Sequence, residues 1–195
     1  MRKVIIFNNV TLDGVMQGPA SPTEDQRDGF EYGGWAAPYG AMQSEEVGDS
    51  VSQASALLMG RETYDSFFAF WPKQPSNPMT DQLNNMEKYV ASRTLTSEPE
   101  WENTTLLKGD AAQTVAELKQ QDGPDLMIMG SGDLAQTLMK HNLIDRYVLL
   151  IHPIVLGTGH RIFEDNTHLG TLKLVKAAPT QNGVIVAVYE PGQSS

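Results

Sequence analysis

An α/β fold on a mostly parallel sheet, closed by an antiparallel hairpin, is what this sequence predicts. Three observations carry that expectation. Short apolar runs recur with segments of helical spacing between them. The early runs are continuously apolar rather than alternating, as in strands buried on both faces. The last two runs flank Gln181-Asn182-Gly183, whose Asn-Gly signal pairs neighbouring strands antiparallel.

Residues 4–7 form the first run and lead through Asn8 and Asn9 to a turn at Asp13-Gly14. Residues 16–39 are rich in glycine, proline and acids, with Phe30, Tyr32, Trp35 and Tyr39 scattered among them. A loop this long inside a compact domain is usually functional, often a lid, or else disordered, and its aromatics favour an ordered loop packed over something. Residues 41–54 have helical spacing, with Met42, Val47 and Val51 facing inward. Residues 56–59 are the second strand and 62–70 a helix. Pro72, Pro75 and Pro78 exclude helix interior, so 71–78 reads as a loop. Thr80 then caps a short helix to Met86.

Strands follow at 88–91 and 104–107. Asp110 caps an amphipathic helix over 111–121, with Val115 and Leu118 inward. Residues 126–129 are the fifth strand, and a second glycine turn opens a helix that reaches His141. The long sixth strand spans 144–151, and 154–163 is a glycine-rich loop between apolar anchors. The hairpin strands are 172–176 and 184–189, and 191–195 reads as a frayed tail. No repeat or linker divides the 195 residues, so one domain is the economical reading.

Composition narrows the function. A net charge of -10 argues against a nucleic-acid binder or an anionic membrane as partner. A small basic pocket for a phosphorylated ligand stays possible. The chain has no cysteine, which removes disulfides, thiolate zinc sites and cysteine nucleophiles. The four apolar residues near the start are too few for a signal-peptide core. No run approaches the roughly 20 apolar residues of a membrane span. A soluble cytoplasmic protein is expected.

Three strand ends carry phosphate-friendly groups: Gly60-Arg61-Glu62-Thr63, Ser92-Arg93-Thr94 and Gly130-Ser131-Gly132. A strand, a glycine and a helix start turn backbone N–H groups and a positive helix end outward, where a phosphate can sit. Arg61 adds a planar, permanently charged fork. A plain β-to-α turn with Arg61 on the surface accounts for the first stretch equally well. Convergence of all three ends on one sheet edge favours a dinucleotide. Gly130-Ser131-Gly132-Asp133-Leu134-Ala135 formally matches the Rossmann fingerprint, but the next strand ends in His152-Pro153, without the acid that fingerprint requires. The Rossmann reading is therefore rejected.

Five short motifs now stand in order: Thr11-Leu12-Asp13-Gly14, Gly60-Arg61-x-Thr63-Tyr64, Ser92-Arg93, Gly130-Ser131-Gly132-x-Leu134 and Pro153-x-x-Leu156-Gly157-x-Gly159-x-x-x-Phe163. Together they resemble the dihydrofolate-reductase-like superfamily, and within it the reductase domain of the bifunctional riboflavin-biosynthesis deaminase–reductase. The resemblance covers essentially the whole chain. It implies a three-layer fold and an NADPH-dependent reductase, commonly a homodimer, acting on a small pyrimidine- or pterin-like heterocycle. Carried over by position, Gly60, Arg61 and Thr63 would hold cofactor phosphates. Ser92 and Arg93 would meet the 2′-phosphate, and Gly130, Ser131, Gly132 and Leu134 the pyrophosphate. Asn9, Leu12 and Gly14 would lie beside the nicotinamide, with Gly159 and Phe163 bordering the substrate pocket.

The chain departs from the family after Thr63. Where the riboflavin reductases continue with an acidic, proline-containing stretch, it has Tyr64-Asp65-Ser66-Phe67-Phe68-Ala69-Phe70-Trp71. Trp71 is accordingly a candidate wall of the substrate pocket, although such aromatics are more often buried. Dihydrofolate reductases keep a carboxylate on the helix before the Gly-Arg strand, so Glu45, Glu46 and Asp49 are candidate proton donors. Asp13 is a further catalytic candidate, or a residue that shapes its own turn. His141, His152, His160 and His168 show no metal-ligand spacing, and a structural or solvent role is expected of each. A nucleotide-binding protein without turnover is the competing reading.

Overall fold

The computed structural model describes residues 1–41, 45–48, 55–164 and 170–192. Among them the apolar runs become β1 (Val4–Thr11), β2 (Ala56–Gly60), β3 (Lys88–Ser92), β4 (Thr104–Lys108), β5 (Leu126–Met129), β6 (Arg146–His152), β7 (Leu172–Pro179) and β8 (Ile185–Pro191). They form one sheet in the order β4-β3-β2-β5-β1-β6-β8-β7. Every pair from β4 across to β6 is parallel, whereas β8 and β7 are antiparallel. The mixed, mostly parallel α/β sheet with its C-terminal hairpin is present as expected.

The helices are α1 (Glu45–Gly48), α2 (Arg61–Phe70), α3 (Pro78–Asn85), α4 (Ala111–Lys119) and α5 (Gly132–Lys140). Successive strand residues point to opposite faces, and the central strands are buried on both. Ile6, Leu58, Ile128 and Leu149 pack against Val115 and Leu118 of α4 and Leu134 and Leu138 of α5. On the other face Ile5, Phe7, Met127 and Leu150 cluster with Val47 of α1, while Leu57, Met59 and Val90 cluster with Tyr64 of α2 and Leu83 of α3. Helices thus cover both faces of the sheet, giving three layers. Each fully buried Leu or Ile contributes about 2 kcal/mol.

Several boundaries differ from the sequence expectation, each for a physical reason. β1 continues through Asn8 and Asn9 to Thr11, because β6 pairs with it as far as Thr11 opposite His152. Ladder pairing outweighs the low strand propensity of asparagine. Thr80 does not cap α3. Asn77 does, accepting from the Met79 and Thr80 N–H groups, with Pro78 in the first helical position and Thr80 buried inside. Proline there loses nothing, since its missing N–H would have had no helical partner. Between Thr180 and Gly183 the hairpin makes a turn closed by the Gly183 N–H on the Thr180 carbonyl, with Gly183 at φ 81°. That is the three-residue loop with a left-handed glycine. Of the expected helix over 41–54 only α1 lies in the described residues; Met42, Asp49 and Val51 fall outside them, as do His168 and residues 193–195 of the tail.

Candidate functional site

The carboxyl ends of parallel strands share one edge of a sheet, so Gly60, Ser92 and the Gly130 turn come together as expected. At the centre of that edge two helix starts are tied to each other. The Gly60 N–H donates to Ser131 Oγ (3.1 Å), and the Ser131 N–H donates to Thr63 Oγ1 (3.1 Å). Gly130 and Ser131 both have positive φ (67° and 52°), which folds the chain tightly between β5 and α5. Asn8 Oδ1 steadies this turn by accepting from the Gly130 N–H at 2.7 Å. Neither Gly60 nor Ser131 supplies a side-chain cap to the helix that it opens. The first-turn N–H groups of two helices therefore face the same edge, in the arrangement that suits an anion.

Cationic groups flank these helix starts. Arg61 Nη1 donates to Thr94 Oγ1 (3.0 Å), which joins the start of α2 to the turn after β3. Ser92 Oγ shapes that turn by accepting from the Thr94 and Leu95 N–H groups. Arg93 is exposed beside it and has no hydrogen-bond or ion-pair partner among the described residues. A third guanidinium comes from the lid: Arg27 is held by Asp25 in a two-point pair and reaches Glu62 Oε2 at 2.6 Å in the first turn of α2.

The lid is ordered, as its aromatics predicted. Phe30 and Trp35 are buried with Val15 and Ala36, against Ile154 and Leu156 of the glycine-rich loop. The buried Gln17 ties the two together, its carbonyl accepting from Trp35 Nε1 and its Oε1 from the His160 N–H. Gly159 has φ 107°, and a Cβ there would stand 2.7 Å from Phe30 and 2.9 Å from Val15. Its lack of a side chain lets lid and loop meet. A small cavity of about 160 Å³ remains between them, lined by Arg27, Asp28, Phe30, Thr158 and His160.

Asp13 is the pin of this assembly. Its carboxylate accepts from Thr11 Oγ1 (2.6 Å) and from the N–H groups of Leu156 (3.2 Å) and Gly157 (2.8 Å). The Thr11 hydroxyl foremost, with those backbone donors, holds its pKa down at about 2. Asp13 is thus ionised at neutral pH and shapes the turn. Leu12 is exposed beside it, its N–H on the Ile154 carbonyl, and Gly14 accepts from the Ile162 N–H.

Two polar residues end β1 and β6 on the lid side of the sheet. His152 is fully buried, and its Nε2 lies 2.8 Å from Asn9 Oδ1. Its ring meets Trp35 and Tyr39 edge to face, at 5.2 and 5.1 Å between centroids. Burial pushes its pKa down to about 4, so the imidazole is neutral at pH 7.

The RibD C-terminal domain family model matches residues 2–186. This chain belongs to that family. Curated relatives of this family member include the uncharacterized protein YyaP of Bacillus subtilis, 29% identical over 196 residues, with 96% of this chain and 94% of the relative covered. Among solved structures, a putative riboflavin biosynthesis protein from Shewanella sp. PV-4 superposes with a TM-score of 0.68 at 21% identity, covering 98% of this chain and all of that one. The Enterococcus faecalis dihydrofolate reductase complexed with NADP(H) gives 0.57 at 10% identity, covering 98% and 97%. The fold is therefore dihydrofolate-reductase-like, as the motifs implied.

Within this RibD-type fold the expected cofactor residues Gly60, Arg61, Thr63, Ser92, Arg93, Gly130, Ser131 and Gly132 share one edge. Leu134 enters only through its backbone, because its side chain is buried among the α4 and α5 core residues. The expected substrate residues do not converge. Trp71 packs with Phe67 on the α2 side, whereas Phe163 lies against Tyr147, which belongs to the α4–α5 face. The two rings sit on opposite faces of the sheet and cannot wall one pocket, and Gly159 is occupied by lid packing. Glu45 is exposed at the start of α1, and Asp49 lies outside the described residues.

Sequence reading missed Asn8, the Asn9–His152 pair and Arg27. The signal for the first two was present: adjacent asparagines at the end of a buried strand must send one amide to each face. A larger concavity of about 320 Å³ opens at Glu87–Tyr89 and Asn103–Thr105, the opposite ends of the strands. There the Lys88 ammonium is engaged by the Asn84, Met86 and Glu102 carbonyls. Among the described residues no group of three His, Asp or Glu side chains is placed to hold a metal ion, and no helix is long and apolar enough to cross a membrane.

Proposed function

We propose that the protein is an NADPH-dependent reductase that transfers hydride to a pyrimidine- or pterin-like heterocycle, of the 5-amino-6-(5-phosphoribosylamino)uracil reductase type. The observation that carries this reading is the pair of uncapped helix starts cross-tied through Thr63 and Ser131, with Arg61 and Arg93 beside them. The donor set fits a dinucleotide: the turn of Gly60, Arg61 and Thr63 takes one phosphate through Arg61 and the first-turn N–H groups of α2, and the Gly132–Leu134 N–H groups take its neighbour. The Gly60, Gly130 and Ser131 N–H groups hold the turns in place. Arg93, without a partner among the described residues and presented by the Ser92 turn, suits a 2′-phosphate.

NADPH supplies the hydride when bound, and the protein positions it and keeps water out. Asn9, Leu12 and Gly14 border the nicotinamide end in this reading, with the lid folded over them. Asp13 cannot donate a proton at neutral pH, because its carboxylate is ionised and tied to the loop. Glu45 at the start of α1, or Asp49, is the remaining carboxylate assignment for a proton donor. Trp71 supplies a flat wall in place of the family's polar edge. The exposed Leu172, Leu174 and Val175 on edge strand β7 support a homodimer joined there, and Leu174→Lys is expected to yield monomers in sedimentation.

Titrating the protein with NADPH and NADH tests the cofactor reading; failure to bind either, or a clear preference for NADH, overturns it. The engagement of Asp13 and the sealing of His152 favour a second reading, a nucleotide binder without turnover. Persistent NADPH binding with no oxidation by a panel including dihydrofolate and the pyrimidine intermediate would establish that one.

A further inference from the structure

His152 is an expensive residue where it stands. It is fully buried, and its Nδ1 has no partner among the described residues. An unsatisfied buried polar atom is destabilising, and an apolar ring of similar size would fill the space between Trp35 and Tyr39 without that cost. Among the described residues the polar contact of its side chain is with Asn9, which projects from β1 onto the same face. A neutral imidazole carries one ring proton, and an amide carbonyl oxygen only accepts. The proton therefore sits on Nε2 and points at Asn9 Oδ1. Asn9 is half-buried, and its Nδ2 donates to no group among the described residues. Asn9 stands two residues before the end of β1, next in the chain to Asn8, which holds the Gly130 turn.

We propose that His152 is a positioning residue. By holding the Asn9 carbonyl oxygen it fixes the amide so that the Asn9 –NH2 is presented to the ligand, where it donates to an sp2 carbonyl oxygen. The inference rests on the reductase reading above and adds the chemistry that one residue recognises. Two sources carry such an oxygen, the carboxamide of a nicotinamide and a ring carbonyl of a heterocyclic substrate. Without His152 the amide rotates freely, and half of its orientations oppose an acceptor to an acceptor.

Two measurements test this. In protein with 15N-labelled histidine at pH 7, the His152 signal, assigned by its loss in His152→Phe, is expected to be that of the Nε2–H tautomer. An Nδ1–H tautomer overturns the proposal. His152→Phe keeps the ring volume between Trp35 and Tyr39, and Asn9→Ala removes the amide itself. Each is expected to weaken ligand binding about tenfold, and the double variant no further than either alone, because both act through one hydrogen bond. Weakened NADPH affinity identifies the carboxamide as the acceptor, and an unchanged NADPH affinity with a raised substrate KM identifies the ring carbonyl. Additive losses, or unchanged affinity for both ligands, overturn it. If the wild-type protein binds no NADPH, it is the reductase reading that fails; if it binds NADPH and the variants match it in both NADPH affinity and substrate KM, only this inference fails.

Discussion

Thr63 Oγ1 accepts a hydrogen bond of 3.1 Å from the Ser131 N–H, joining the first turn of α2 to the residue that opens α5. With the reciprocal bond from the Gly60 N–H to Ser131 Oγ, it sets two helix ends side by side. Thr63→Val keeps the shape and removes the acceptor, leaving a partly buried N–H unpaired. The expected cost is about 1 kcal/mol of stability in urea unfolding, together with a roughly tenfold loss of NADPH affinity. Unchanged affinity would show that the spacing of the helix ends is immaterial to binding.

Arg93 stands exposed beside the Ser92 turn, with no partner among the described residues. Arg93→Ala is expected to weaken NADPH by about tenfold or more, the scale of one charge-assisted phosphate contact, and to leave NADH nearly unaffected. Equal losses for both nucleotides would mean that Arg93 does not read the 2′-phosphate. Raising the salt concentration should narrow the difference in the wild type, because the contact is exposed.

The buried His152 sets an acid limit on stability. Its pKa is about 4 in the folded protein, against 6.5 for an ordinary histidine. Between those values the unfolded chain takes up a proton that the folded protein does not. Stability is therefore fully present above pH 6.5 and declines as the pH falls towards 4, by roughly 3 kcal/mol from this group. His152→Phe removes that component, so the difference in unfolding free energy between wild type and variant should shift by that amount from pH 7 to pH 4. A difference that stays constant with pH would contradict the assignment.

Gly159 combines φ 107° with contacts that leave no room for a Cβ. Gly159→Ala is expected to destabilise by about 2 kcal/mol or more, from backbone strain and overpacking together. The damage should be local to the lid, so limited proteolysis within residues 16–39 ought to accelerate. If cleavage stays slow while global stability falls, lid and loop are not held together at this residue.

The sequence by itself determined the layers and which strand ends share the edge proposed for the cofactor. Unbroken apolar strands state that both faces of a sheet are covered, and a strand–glycine–helix junction exposes backbone donors wherever it occurs. Gly60-Arg61, Ser92-Arg93 and Gly130-Ser131 were legible because their geometry is local, and parallel topology alone sends them to one edge. Only the tertiary structure decided what crosses between segments far apart in the chain. Asp13 as the pin of the 156–157 backbone, Gly159 beneath Phe30, and His152 against Asn9 each join residues more than 100 positions apart. No spacing rule reaches that far, because such pairs are set by which strands become neighbours. For the same reason Trp71 and Phe163, plausible partners in one pocket by motif, fall on opposite faces. Side-chain alternation along the strands and the route of the loops, rather than motif order, assign a residue its face.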